Sequence, residues 1–330
     1  SRSLLPMGWV SLFVALSVAS VCCLASPLAT DRLAFEAFIR EYGKPYTGPE
    51  REERFRAFQD SLVAITAINA QGGSWTAGLN EYSDLTWAEF QARVLMEPQD
   101  CSATGPGNHV RSGKRPPLWV DWEARGALNA IKNQGNCGSC WTFSTTGTLE
   151  SHHFLKTGIM ANLSEQQLVD CAGPFANHGC GGGLPSQAFE YIHYNGGLDT
   201  EAAYPYRAAN GNCSFKRPGV GATVSKIVNI TYLDEEGIID AVAFHGPVSI
   251  AYQVSADFQH YKSGIYDGKC TTDRKGVNHA VVAVGYGWFG KPFWKVRNSW
   301  GTTWGERGYF RIRRGVNKCG LADCASYPVV

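Results

Sequence analysis

The chain has 330 residues, of which 44% are hydrophobic and 12% aromatic, and carries a formal net charge of +1. That much apolar material supplies one large core or two modest ones and excludes intrinsic disorder. Near-neutral charge without a long Lys/Arg run argues against nucleic acid or an anionic membrane as the main partner, and the 37 glycines follow no collagen-like period.

The first element is an apolar stretch from Val10 to Leu24, preceded by Arg2 and followed by the small residues Ala25 and Ser26. It is too short for a comfortable membrane span and fits a secretory signal over residues 1–25, with Met7 a candidate start. No later apolar run is long enough to cross a bilayer. Cys22 and Cys23 fall inside this stretch, so nine of the eleven cysteines remain. An odd number in an oxidising compartment leaves one thiol free if the others pair.

Two amphipathic helices follow. Phe35, Phe38, Ile39 and Tyr42 recur at helical spacing until Gly43-Lys44-Pro45, and Phe55, Phe58, Leu62, Ile65 and Ile68 continue such a stripe after Pro49. Residues 98–118 are rich in Pro and Gly and read as a linker, with Arg111, Lys114 and Arg115 as exposed basic sites for proteolysis. The domain reading is therefore 1–25, 26–114 and 115–330.

Past the boundary, Cys140, Trp141, Thr145, Leu149, His152 and Lys156 predict a helix with Gly158 as its C-cap. Ser164 predicts the cap of a second helix, with Gln167 in the capping-box position. Residues 280–284, 293–298 and 309–313 read as strands, and the cluster Arg311, Arg313 and Arg314 as a solvated strand face. Helices first and strands later predict an α+β fold of two subdomains with a cleft between them.

The chemistry concentrates in Gln134-Gly135-Asn136-Cys137-Gly138-Ser139-Cys140-Trp141. A nucleophilic cysteine must become a thiolate, and the free N–H groups of a helix N-terminus favour that anion. Cys140 stands where the helical pattern begins. It also needs an imidazole as proton acceptor and donor. Among eight histidines, His279 opens a strand-like apolar run, while Asn298 ends another and is followed by Ser299-Trp300. An Asn amide oxygen can orient an imidazole, and Trp300 can shield that bond from water. Competing readings are a Cys137/Cys140 redox pair and a Cys137, Cys140, Cys171, Cys180 zinc site. The first lacks a βαβ context, and the second has irregular spacing. Gly179 to Gly183 reads either as a flexible turn or as a place where a peptide backbone approaches closely.

Residues 115–330 resemble the papain family of cysteine peptidases, through the C-G-S-C-W segment and the His and Asn positions just described. Within that family they are most similar to the cathepsin H and aleurain branch, as seen in G-L-P-S-Q-A-F-E-Y-I and C-G-L-A-D-C-A-S-Y-P. The resemblance implies a helical subdomain, an antiparallel β-barrel-like subdomain and a helical inhibitory prosegment. It implies Cys140 as nucleophile, His279 as base and acid, Asn298 as orienter and Gln134 as oxyanion donor. It further implies substrate contacts at Gly182, Gly183, Leu184, Pro185 and Trp300.

Residues 35–90 resemble the family's prosegment. Its E-R-F-N-I-N pattern appears as Glu50, Arg54, Phe58, Ser61, Ile65 and Asn69, with Ser61 replacing Asn, and its G-x-N-x-F-x-D as Gly78, Asn80, Tyr82 and Asp84. The octapeptide Glu97–Thr104 is similar to the branch's mini-chain, which implies a carboxylate at Thr104 that meets a substrate's α-amino group. The family pattern pairs Cys137–Cys180, Cys171–Cys213 and Cys270–Cys319, leaving Cys101–Cys324 as the mini-chain tether. Asp100 stands where the branch has a glycosylated Asn. Asn162 and Asn229 head N-x-[ST] sequons.

The implied activity is that of a secreted, lysosomal or vacuolar zymogen, mainly an aminopeptidase with some endopeptidase action. A plain endopeptidase and an inactive binding protein are the alternatives. Implied partners are peptide and protein substrates, the chain's own prosegment and cystatin-like inhibitors, acting on a monomer. Nothing in the sequence points to a metal or organic cofactor.

Overall fold

The structure, a computed structural model, describes residues 27–330, so the expected signal at 1–25 lies outside the described residues. The chain divides at Pro45/Tyr46 into two compact units.

In the first unit, helix α1 (Pro27–Tyr42) carries Phe35, Phe38 and Tyr42 at helical spacing, with successive ring centroids 6.2 and 5.0 Å apart. Gly43 ends it at φ 60°, a left-handed turn that glycine enters without steric cost.

The second unit opens with α2 (Gly48–Ala70), β1 (Trp75–Ala77) and α3 (Trp87–Val94). Pro49 sits in the first turn of α2, where its missing N–H costs nothing. The buried face of α2 is Arg54, Phe55, Ala57, Phe58 and Ser61. The expected continuation through Leu62, Ile65 and Ile68 is only half-buried, and Ile68 lines an open groove with Ala64, Trp87 and His260. Arg54 is buried for an electrostatic reason. Its guanidinium donates to both carboxylate oxygens of Glu89, at 2.9 and 2.5 Å, and to the carbonyl of Asp84 at 3.1 Å. Glu89 in turn closes a capping box with Thr86 at the start of α3.

The remaining elements are β2 (Val120–Asp121), α4 (Cys140–Thr157), α5 (Glu165–Cys171), α6 (Pro185–Asn195), β3 (Leu198–Asp199) and β4 (Val220–Ala222). They continue with β5 (Lys226–Asn229), α7 (Glu235–Phe244), β6 (Val248–Tyr252), β7 (Tyr261–Tyr266), β8 (His279–Phe289), β9 (Lys291–Arg297), β10 (Tyr309–Arg313) and β11 (Ser326–Val329). One apolar cluster gathers α4, α5 and α6 around Trp141, Leu149, Leu168, Phe189 and Ile192. The other packs the sheet around Phe258, Trp294, Trp300, Trp304 and Phe310. Helix α4 lies between them against β8, which is why every residue from Cys140 to His152 is buried.

The strand order is β1-β7-β10-β9-β8-β6-β11-β5, with β2 paired to β8. The expected helical and sheet subdomains are both present. The path is open among the described residues, with β1 and β5 at its ends, so the sheet is barrel-like without closing. It is also not wholly antiparallel, because β10 runs parallel to β7, to which the chain returns only after the long β8–β9 hairpin. The edge is extended from outside the 115–330 region: Trp75, Thr76 and Ala77 of β1 pair antiparallel with Gly264, Ser263 and Tyr261 of β7.

Local chemistry explains the helix ends. Gly158 terminates α4 at φ 75°, and the Ser164 hydroxyl accepts the N–H of Gln167 at 3.0 Å. The capping box is only half formed, because the Gln167 side chain instead bonds the Asp199 N–H and the Tyr191 hydroxyl. The arginines expected on a solvated face are partnered: Arg311 with Glu306, Arg313 with Asp267, and Arg314 over the rings of Tyr286 and Trp294.

Candidate active site

Cys140 is the first residue of α4 and the only free cysteine among the described residues. The other eight form the bridges Cys101–Cys324, Cys137–Cys180, Cys171–Cys213 and Cys270–Cys319, with Cα separations of 5.2, 4.8, 4.8 and 5.2 Å. With Cys137 bonded to Cys180, neither the Cys137/Cys140 redox pair nor the four-cysteine zinc site exists.

The sheet brings the second group to the sulfur. The backbone N–H of Ala280 at the start of β8 reaches Cys140 Sγ at 3.4 Å, and His279 is the residue before it. The Asn298 Oδ1 takes the Ser299 N–H at 2.8 Å, so that atom is an acceptor, and His279 Nε2, also 2.8 Å away, must carry a proton toward it. His279 Nδ1 is then the accepting nitrogen of the neutral ring, buried with no hydrogen-bond partner. Trp300 lies 4.6 Å from the imidazole, centroid to centroid, and is itself fully buried. The tautomer and the ring plane are both held.

Gln134 is positioned from both ends of its amide. Its Oε1 accepts from the Ser299 hydroxyl at 2.7 Å and from Trp300 Nε1 at 3.2 Å, which aims its NH2 the other way. Nε2 donates to the Cys137 carbonyl at 2.8 Å and to the Val94 carbonyl at 2.7 Å. The Tyr206 hydroxyl holds the same loop, bonded to the Gln134 carbonyl at 2.7 Å and to the Ser139 hydroxyl at 2.6 Å. Neither Tyr206 nor Ser299 has a local sequence signal for this role; adjacency to Asn298 is the one hint for Ser299.

The segment after α3 covers the site. Met96 N–H bonds the Asn278 carbonyl at 3.1 Å, Glu97 N–H the Gly181 carbonyl at 3.0 Å, and Gln99 N–H the Val277 carbonyl at 2.8 Å. Gly182, at φ 132°, faces this chain: a Cβ there would lie 2.9 Å from Gln99 Nε2 and 3.0 Å from Met96 Cβ. Gly183 is equally restricted, with Asn177 Oδ1 2.2 Å from such a Cβ. At both glycines a neighbouring side chain takes the space that a Cβ would need.

Covering the site sets its charge state. Burial pushes the Cys140 thiol up to about 12, opposed by the N–H groups of Ala280, Trp141 and Met96. Burial likewise lowers the His279 imidazole to about 4, opposed by the bond to Asn298. Both groups are held neutral beneath residues 94–97.

Leu184 and Pro185 are buried at the start of α6 and line a small cavity with Cys101, Thr104 and Cys324. The structure does not bring Thr104 to Cys140. In the uncut chain it is buried, its hydroxyl donates to the carbonyls of Cys101 and Asp323, and its own carbonyl accepts the Tyr232 N–H. Asp100 pairs with Arg274 at 3.0 Å. Asn162 is exposed, whereas Asn229 is half-buried with its Oδ1 enclosed. Among the described residues no His/Cys/Asp/Glu cluster has the makings of a metal site, and no helix is long and apolar enough to cross a membrane.

The family described as papain family cysteine protease matches residues 116–329, and the cathepsin propeptide inhibitor domain matches residues 35–90. Thiol protease aleurain of Arabidopsis thaliana is 50% identical over 301 residues, covering 90% of this chain and 84% of the relative. Pro-cathepsin H of Bos taurus is 49% identical over 315 residues, covering 93% of each. Among solved structures, digestive procathepsin L 3 of Tenebrio molitor superposes with a TM-score of 0.84 at 36% identity, covering 91% of this chain and 99% of that one. These relatives and the four disulfides fit a protein of the secretory or lysosomal/vacuolar route. The chain belongs to the papain family of cysteine peptidases and is a zymogen that carries its own intramolecular inhibitor.

Proposed function

We propose that this zymogen matures into a peptidase acting mainly as an aminopeptidase, with residues 1–25 as signal, 26–114 as propeptide and 115–330 as the peptidase domain. Cys140 is the nucleophile. Once the cleft opens to water, the burial that holds thiol and imidazole neutral is relieved, and the α4 N-terminus favours transfer of the proton to His279. The thiolate attacks the substrate carbonyl carbon. The resulting oxyanion takes the Cys140 backbone N–H and the Gln134 side-chain N–H, and the His279 imidazolium protonates the departing amine. Water, deprotonated by His279, then releases the acyl group. Asn298 keeps His279 Nε2–H pointed away from the sulfur throughout, and Trp300 keeps water off that bond.

The observation that carries the aminopeptidase reading is the Cys101–Cys324 bridge. It ties residues 97–104 beside Gly181, Val277 and the wall made by Leu184 and Pro185. A tethered peptide there shortens the cleft on the acyl side, and a carboxylate at Thr104 favours a cationic substrate N-terminus. Because Thr104 is buried in the uncut chain, its end must swing out after cleavage of the Thr104–Gly105 bond. Peptide and protein substrates and cystatin-like inhibitors are the partners, and the sequons at Asn162 and Asn229 the glycan sites. The mature enzyme hydrolyses free-amino peptides faster than N-acetylated ones, and Cys324→Ser removes the difference; equal rates on both in the wild type would refute the reading.

A further inference from the structure

The two groups offered to the oxyanion, the Gln134 side-chain N–H and the Cys140 backbone N–H, stand at opposite ends of a loop. Residues 134–139 contain neither helix nor strand, so no regular hydrogen-bond ladder sets the distance between the two donors. Each end is nevertheless pinned. The Gln134 N–H donates to the Ser299 carbonyl at 2.9 Å, and its carbonyl accepts the Tyr206 hydroxyl at 2.7 Å. At the other end Ser139 precedes Cys140, so the peptide between them carries the second donor. The Ser139 carbonyl accepts the Thr142 N–H and the Thr142 hydroxyl, both at 2.8 Å, and the Ser139 hydroxyl lies 2.6 Å from that of Tyr206.

The protons in this chain can be assigned. A carbonyl only accepts, so the Tyr206 proton is committed to Gln134, and the Tyr206 oxygen receives the Ser139 proton. The other acceptor near Ser139 Oγ, the Cys137 carbonyl at 3.5 Å, is too distant to compete. One phenol thus joins the two ends of the loop through both of its hydrogen-bonding functions. Ser139 and Gln134 are fully buried, which keeps water from replacing these bonds. Tyr206 is itself placed by groups outside the loop. Its ring meets Phe143 edge-on at 5.0 Å, and its N–H donates to Glu201 at 2.8 Å. Unlike the Val94 contact to Gln134, every bond of the relay lies within residues 116–329, the stretch that matches the peptidase family.

We propose that Tyr206 is a positioning residue for catalysis, whose hydroxyl fixes the spacing between the two oxyanion donors. The inference rests on the reading of Gln134 and Cys140 N–H as those donors, and it is independent of any aminopeptidase preference. Without the hydroxyl both donors remain, but the Gln134 carbonyl and the Ser139 hydroxyl lose their common partner. Donors a fraction of an ångström out of place lose strength on the transition-state oxyanion, where charge develops, and matter little to ground-state binding.

The test is steady-state kinetics of the processed enzyme on one peptide substrate, with kcat expressed per titrated Cys140 thiol so that misfolded protein does not count. Tyr206→Phe, which keeps the ring on Phe143, lowers kcat about tenfold with KM changed by less than about twofold. Ser139→Ala, which removes one bond of the relay and leaves the tyrosine intact, lowers kcat about threefold. In a Gln134→Ala background Tyr206→Phe costs no more than about twofold, because the donor it positions is gone. A merely structural hydroxyl lowers Tm and leaves kcat per thiol unchanged, and that result overturns the proposal. So does a full tenfold cost in the Gln134→Ala background, or a loss carried by KM. Unchanged kcat in Gln134→Ala alone removes the oxyanion assignment itself, and the proposal with it; a large loss in Gln134→Ala with none in Tyr206→Phe removes the proposal only.

Discussion

The Val94 carbonyl oxygen sits 2.7 Å from Gln134 Nε2, on the same NH2 group that the proposed mechanism offers to the oxyanion. The end of α3 therefore occupies a donor beside the residues that cover the thiol, and the amide it uses is already aimed by Ser299 and Trp300.

One consequence concerns kinetics. Gln134→Ala in the processed enzyme lowers kcat by about 10²–10³, with little change in KM, because an oxyanion donor acts in the transition state and not in ground-state binding. Steady-state measurement on one peptide substrate checks the split. A rise in KM at constant kcat contradicts the assignment.

A second concerns thiol reactivity. With the thiol near 12 against an ordinary value of 9, the uncut chain holds roughly a thousandfold less thiolate at neutral pH than an unperturbed cysteine would. Iodoacetamide alkylation of Cys140 is accordingly slow in the zymogen at every pH from 5 to 8 and accelerates by orders of magnitude on processing. Equal rates before and after processing count against the covering segment as the cause.

The Arg54–Glu89 pair yields a third. Hydrogen bonding from Arg54, with help from Thr86, lowers the Glu89 carboxyl to about 2 against an ordinary 4.5. A depressed acid stabilises above its unfolded value and loses that contribution only as pH falls through its folded value, so the pair is intact at about pH 5. Arg54→Ala in the Cys140→Ser zymogen costs about 1.5–3 kcal/mol, similarly at pH 7 and pH 5, by denaturant unfolding. A loss confined to neutral pH shows that acid already breaks the pair.

Asp323 gives the opposite sign. Burial raises its carboxyl to about 6 from an ordinary 3.8, and its Oδ2 is enclosed without a partner. The protonated form is the better tolerated one, so the destabilising cost grows as pH rises from about 4 to about 6. Asp323→Asn raises Tm at pH 7 and leaves it nearly unchanged at pH 4. An equal change at both pH values rules out titration as the source.

Short-range physics made several features readable in advance. The helix from Cys140 to the Gly158 cap, the Ser164 cap and the alternation of Phe310 and Ile312 with Arg311 and Arg313 each depend on residues within one or two turns or one strand. Cysteine parity likewise pointed to one unpaired thiol, although parity alone does not say which. The Gln167 half-box failed for a nonlocal reason: Asp199 and Tyr191 compete for its amide.

Everything that sets the charge and access of the site came from residues far apart in the chain. The pairing of Trp75 with Gly264, the burial of Arg54 against Glu89 and the Val94–Gln134 bond join segments that carry no mutual sequence signal. Composition and periodicity report which residues seek burial or a helix end. They do not report which partner removes water from a thiol or an imidazole, and that desolvation, a property of the assembled packing, decides whether Cys140 and His279 are charged.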